Sequence, residues 1–189
     1  MDFWTPQELL NVLREAKKNS SRDFCLILLA YRHGLRREEI SRLTLDDVRN
    51  GHINVQRLKG SLHTIQPLYS DSNPLLDEHK ALAAWLEDRG DADGSIFLFT
   101  SRQGSALKAR QIYNVFENAA FAAGLAPGRR NPHQAKHALG SHAIRAGVSV
   151  AHLQQLLGHK DPKATLFYTH ITQSEAAQAA TKAMTGIFS

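Results

Sequence analysis

The chain has one cysteine, Cys25. That excludes an intramolecular disulfide framework and any cysteine-caged metal site. Cys25 lies in the apolar run Phe24-Cys25-Leu26-Ile27-Leu28-Leu29, where a free thiol reads as an inert core residue. No stretch reaches the ~18 apolar residues that a membrane helix needs. The opening Met1-Asp2-Phe3-Trp4-Thr5-Pro6 has neither a basic n-region nor a long apolar h-region, so no secretory signal is visible. Internal repeats and low-complexity linkers are missing as well. A soluble, cytoplasmic chain with no membrane partner is the expectation.

Its 189 residues fit one domain, since domains run to ~100–200 residues. Hydrophobic residues make up 42% and charged residues 22%, enough apolar material for one real core and too much for intrinsic disorder. Lys and Arg total 23 against 18 Asp and Glu, a net charge of +5. That modest surplus favours an anionic partner without identifying it.

Thr5-Pro6-Gln7-Glu8 opens a helix with a cap, a proline at the first helical position and a glutamate three residues after the cap. A second helix, from about 21 to 33, is apolar almost all round and therefore central, and Gly34 is placed to end it. A short helix follows over 37–43. The period then changes: Ile53 and Val55 alternate with polar neighbours, and so do Leu62, Thr64, Gln66 and Leu68 beyond Lys59-Gly60-Ser61. A hairpin is the natural reading. Asn50-Gly51 marks a further turn, leaving a three-stranded meander open. Helices are expected again from Pro74 to Gly90 and over 108–123, 132–145, 149–157 and 172–184. Ile96-Phe97-Leu98-Phe99 reads as a strand or a buried turn. The fold class is mainly α with a small antiparallel β-sheet (α+β).

Of ten histidines, five fall between 133 and 159. His133 and His137 share a helix face at zinc-helix spacing, but Gln134 stands where H-E-x-x-H has its glutamate. A metalloprotease would lack its general base, and ordinary helix histidines are the commoner outcome. Arg36 and Glu39 pair at i,i+3 at a helix start, which surface charge alone would explain. Leu157-Gly158-His159 presents a histidine at an abrupt helix end. Tyr168 follows nine residues later, and taken alone reads as a packed aromatic.

Taken together, Gly34-Leu35-Arg36…Glu39, Lys59 in a hairpin turn, His133-x-x-Lys136-His137, Leu157-Gly158-His159 and Tyr168 resemble the tyrosine recombinase (phage integrase) family. The motifs follow that family's catalytic domain in order and spacing over about residues 5–170, with 171–189 left as a helical tail. With no DNA-clamping domain ahead of it, the chain is most similar to the short fimbrial phase-switch invertases. Met1 just before a capped helix suggests a natural start.

The resemblance implies site-specific cleavage and rejoining of DNA through a 3′-phosphotyrosine, for inversion, excision or integration, with neither metal nor other cofactor. It gives Tyr168 the role of nucleophile and His133 that of its proton acceptor. Arg36, Lys136 and His159 become donors to the non-bridging oxygens, and Lys59 the acid for the leaving 5′-oxygen. Glu39 and His137 support them from behind. Lys136 departs from the family, which usually has a second arginine there; lysine keeps the charge but loses the planar fork. A catalytically weakened, recombinase-derived DNA-binding regulator is therefore the alternative. Arg102, Lys108, Arg110, Arg129, Arg130 and Arg145 are candidate phosphate contacts, with solubility as the plainer reading. The implied partners are double-stranded DNA, a tetramer on synapsed sites and accessory DNA-bending proteins. The tail would dock on a neighbouring protomer or fold back on its own core.

Overall fold

The computed structural model describes residues 3–58, 61–166 and 168. Helix α1 (Pro6–Asn19) starts as its sequence signals: Thr5 Oγ1 accepts the Glu8 amide at 3.2 Å, and a Glu8 carboxylate oxygen accepts the Thr5 amide at 2.8 Å. Leu9, Val12, Leu13 and Ala16 form its buried face. Helix α2 (Ser21–Arg32) runs through the centre, and every residue from Asp23 to Ala30 is buried. Gly34 ends it at φ +58°, with the Leu35 amide bonded back to the Ala30 carbonyl at 3.0 Å. The chain turns at once into α3 (Arg37–Arg42), with Arg36 as the N-cap residue.

Strands β1 (His52–Val55) and β2 (Thr64–Pro67) pair antiparallel, with Ile53 opposite Gln66 and Val55 opposite Thr64. The sheet has these two strands only among the described residues. The Asn50–Gly51 turn leads into β1 from a 3-10 turn over Leu45–Val48, so the three-stranded meander does not form.

Helix α4 is shorter than expected, Glu78–Arg89, because Asp77 rather than Pro74 begins it. Asn73 holds the Leu75 amide in a local turn, and Asp77 Oδ1 accepts the Lys80 amide at 2.9 Å. Residues 96–98 pair along 43–45: Leu45 donates to the Ile96 carbonyl at 2.9 Å and Leu98 to the Leu43 carbonyl at 2.8 Å. This stretch is therefore a bridge and a buried turn rather than a strand of the sheet. Helices α5 (Ala109–Ala122), α6 (His133–Arg145), α7 (Val150–Leu157) and α8 (Lys163–Leu166) complete the order. The helix expected over 172–184 and the tail 171–189 lie outside the described residues. None of the described helices is long and apolar enough to cross a membrane.

Trp4, Leu13, Leu26–Leu29, Ile40, Phe99 and Phe116 are fully buried in the main core around α2. Burial pushes the Cys25 thiol far above its ordinary range, with the Glu78 carboxylate adding to the effect, so it is an inert core residue. A second, smaller core lies between α6 and α7, where Leu153, Leu157 and Tyr168 pack with Leu139, Ala143, Ile144 and Leu156 around them.

Candidate active site

The site begins at the α2–α3 turn. Glu39 is fully buried and accepts from the Arg36 amide at 2.8 Å and the Arg36 guanidinium at 2.9 Å. The Arg57 guanidinium at 3.1 Å and the Leu58 amide at 3.2 Å complete its contacts. Burial disfavours the Glu39 charge, but these hydrogen bonds and the Arg57 charge hold its carboxyl below the usual range. The i,i+3 pair read from the sequence is thus one half of a buried arginine–glutamate–arginine arrangement, with Arg36 at its half-buried outer edge.

Arg57 was not singled out as a site residue. Ile53, Val55 and Arg57 share the inward register of β1 and its extension, and a cation in that register was the available signal. Its Nη2 donates to the His33 carbonyl at 2.7 Å and to the Leu156 carbonyl of α7 at 3.1 Å. Its Nη1 reaches the Gly34 carbonyl at 3.2 Å. Gln66 of β2 also donates to the Leu156 carbonyl, at 2.9 Å.

Helix α6 supplies the next wall. Lys136 is buried, and its Nζ has no hydrogen-bond partner among the described residues. Burial, and then the positive charges of Arg36 and Arg57, lower its ammonium to about 7. An unpartnered buried cation is costly unless an anion arrives to meet it. One turn further on, Gly140 leaves room for the Tyr168 ring. The His137 ring lies 6.0 Å from the Tyr168 ring, tilted by 53°. His133 is exposed at the start of α6. Partial burial of its ring and then the Arg37 charge lower its pKa, against the Glu38 carboxylate, which favours the neutral imidazole that can accept a proton.

Helix α7 ends on Gly158 at φ +64°, and His159 follows. His159 Nδ1 lies 2.9 Å from the Thr165 hydroxyl, which is fully buried. That contact fixes the ring and leaves Nε2 as the nitrogen able to serve a ligand. Burial, followed by Lys136 and Arg36, brings His159 down to about 4. Burial also pushes the Tyr168 hydroxyl up to about 12, opposed by the Arg36 charge. Arg36 therefore acts electrostatically on Lys136, His159 and Tyr168 alike, although the four residues sit on four separate segments. Among the described residues no three His, Cys, Asp or Glu side chains gather as metal ligands.

The "Phage integrase family" pattern matches residues 2–175 of this chain. The chain belongs to the phage integrase family. It is 36% identical to the type 1 fimbriae regulatory protein FimE of Escherichia coli K12 over 154 residues, which is 79% of this chain and 74% of FimE. It is 32% identical to FimB of the same strain over 173 residues, 89% of this chain and 84% of FimB. The crystal structure of XerA recombinase superposes with a TM-score of 0.79 at 23% identity, over 96% of this chain and 65% of XerA. That likeness bears on the fold.

Ion-pair, ring and charge contacts link Arg36, Glu39, His133, Lys136, His137, His159 and Tyr168, while Lys59 lies outside the described residues. The outlying cations divide. Arg102, Lys108 and Arg110 are exposed around the start of α5. Arg129 instead ion-pairs with Glu8 at 2.5 Å and donates to the Phe3 carbonyl at 2.7 Å. Arg130 donates to the Leu125 carbonyl at 2.6 Å and stacks over Phe121, and Arg145 lies over Phe3. Arg129 and Arg130 thus have intramolecular work that their sequence positions did not disclose, while Arg145 stays exposed and Arg110 lies over the Tyr113 ring in the same way.

Proposed function

We propose that this chain is a site-specific recombinase that cuts and rejoins double-stranded DNA through Tyr168. The observation that carries the reading is the buried, unpartnered Lys136 ammonium beside Arg36 and His159, with Tyr168 under the same positive potential. A buried lysine with no hydrogen-bond partner among the described residues, set beside an arginine and a tyrosine, suits a phosphodiester, whose charge rises as the fifth oxygen approaches phosphorus.

At a Tyr168 pKa of about 12, on the order of one hydroxyl in 10⁵ is ionised at neutral pH, so attack needs a proton acceptor. His133, held neutral, takes the proton as Tyr168 Oη bonds to phosphorus. The P–O5′ bond breaks in the same displacement, and the departing oxygen is protonated, a role we give to Lys59. Arg36, Lys136 and His159 Nε2 hold the non-bridging oxygens. Religation is the reverse: a 5′-hydroxyl attacks the phosphotyrosine and Tyr168 leaves with its proton restored. The bond energy stays in the phosphotyrosine, so the chemistry calls for no metal or nucleotide.

Arg102, Lys108 and Arg110 are the exposed cations proposed to meet flanking phosphates, with binding that weakens steeply with salt. A cytoplasmic tetramer on two synapsed sites, acting by inversion, excision or integration, completes the reading. The test is covalent trapping on nicked suicide DNA carrying the genomic flanking sequences, in chelator, with wild type beside Tyr168→Phe. An SDS-stable, protease-sensitive adduct lost in Tyr168→Phe is expected. Salt-sensitive binding without an adduct would instead favour a DNA-binding regulator weakened at Lys136.

A further inference from the structure

We infer that Arg57 is a positioning residue for strand cleavage, holding the Arg36 turn and the His159-bearing end of α7 in register through one buried guanidinium; this rests on the function proposed above. The Arg57 side chain is 0% exposed, so it is out of reach of a DNA phosphate and is not a catalytic residue. Its bonds run instead to the supports of the residues that would touch the phosphate. Nη1 meets Glu39, the carboxylate that also grips Arg36. The same nitrogen and Nη2 reach the Gly34 and His33 carbonyls just ahead of Arg36. Nη2 continues to the Leu156 carbonyl, three residues before His159.

The hairpin that carries Arg57 is fastened to the same helix end by independent contacts. Gln66 donates to Leu156, and the Leu62 amide donates to the Gly158 carbonyl at 2.8 Å. A Cβ on Gly158 would stand 2.5 Å from the Leu62 carbonyl oxygen and 3.0 Å from Arg57 Cγ, so the two elements meet backbone to backbone. Arg57 Nε completes the arrangement on the Thr64 hydroxyl at 3.2 Å. An apolar side chain would fill this space with no charge to desolvate. What the guanidinium adds is a rigid planar fork touching α3, the end of α2 and the end of α7 at once. The donors that flank a scissile phosphate need placement within a fraction of an ångström, and that is the property this fork supplies.

The test is single-turnover adduct formation at saturating protein with Arg57→Lys and Arg57→Gln, alongside wild type and Tyr168→Phe. A parallel substrate carries a methylphosphonate at the scissile position, which replaces one charged non-bridging oxygen by a methyl group. Lysine keeps the buried charge and loses the fork, so it carries the test if the glutamine variant does not fold. We expect the rate constant on the phosphodiester to fall about 10–100-fold, the size seen when an oxyanion donor is disturbed. The reaction end point and DNA affinity should stay within about twofold, and the loss should shrink below about threefold on the methylphosphonate, where less charge awaits Arg36 and His159. A lowered end point with an unchanged rate constant would show a residue that only holds the fold, and would overturn the inference. Equal losses on both substrates would overturn it too. No Tyr168-dependent adduct in wild type would remove the proposed function itself, a result separable from both.

Discussion

The Tyr168 ring rests directly on the backbone of α6 at Gly140: a Cβ there would stand 2.6 Å from two ring carbons. Alanine favours a helix interior over glycine by about 1 kcal/mol. Gly140→Ala should therefore leave stability unchanged or slightly raised while forcing the Tyr168 ring off its seat. The expected outcome is an unchanged or higher melting temperature, with adduct formation slowed at least about tenfold, since a misplacement near 1 Å costs rate steeply. An adduct rate within about twofold of wild type would contradict the contact.

Lys136 makes two opposite predictions, one for stability and one for rate. Burial first, then Arg36 and Arg57, depress its folded-state pKa to about 7, whereas an unfolded lysine titrates near ~10.4. Between those values the unfolded chain binds the extra proton, so wild-type stability rises with pH through that window. Lys136→Met removes the group. It should be the more stable protein at pH 6–7 and lose that advantage by about pH 10, as thermal melts across pH would show. A constant difference at every pH would place the lysine elsewhere.

Cleavage should respond in the other direction. The Lys136 ammonium is present below about pH 7 and is lost above it in the DNA-free protein, while an arginine stays charged throughout. The ratio of Lys136→Arg to wild-type cleavage rates should climb as pH rises from 7 to 9. Tyr168 ionisation affects both proteins alike and cancels in the ratio. A flat ratio would mean the lysine stays charged at the site.

Arg129 fastens the N-terminal segment by pairing with Glu8, whose carboxyl it draws down from 4.5 to about 2, against the effect of burial. The stabilisation is complete above the unfolded carboxyl pKa and is lost as pH falls through the folded one. Arg129→Ala should lose about 1–2 kcal/mol at pH 7, typical of hydrogen bonds to a charged partner. The gap to wild type should narrow between pH 4.5 and 2, which urea titrations at both ends would measure.

What was legible in the sequence was local. Thr5 and Glu8 reach each other within one turn, and Gly34 needs only its own φ, so both helix ends could be read directly. Arg36 and Glu39 were legible for the same reason. Pro74 misled because two start signals stood close together, and Asn73 claimed the turn before Asp77 could cap α4. Arg57 and Thr165 stayed hidden for a different cause. Arg57 bonds to the carbonyls of residues 33, 34 and 156, backbone atoms that every residue type carries. Thr165 is an ordinary helix residue until His159 folds against it. Arg129 looked like a surface cation because Glu8, its partner, lies at the far end of the chain.

The claim on which the rest depends is that Tyr168 becomes covalently joined to DNA. The direct measurement is peptide mapping by mass spectrometry of the adduct trapped on nicked suicide DNA. The account predicts a nucleotide-bearing phosphotyrosine at Tyr168, attached through the 3′ end of the cleaved strand, with Tyr31, Tyr69 and Tyr113 unmodified. An adduct at any other residue, or a 5′ linkage, would contradict it.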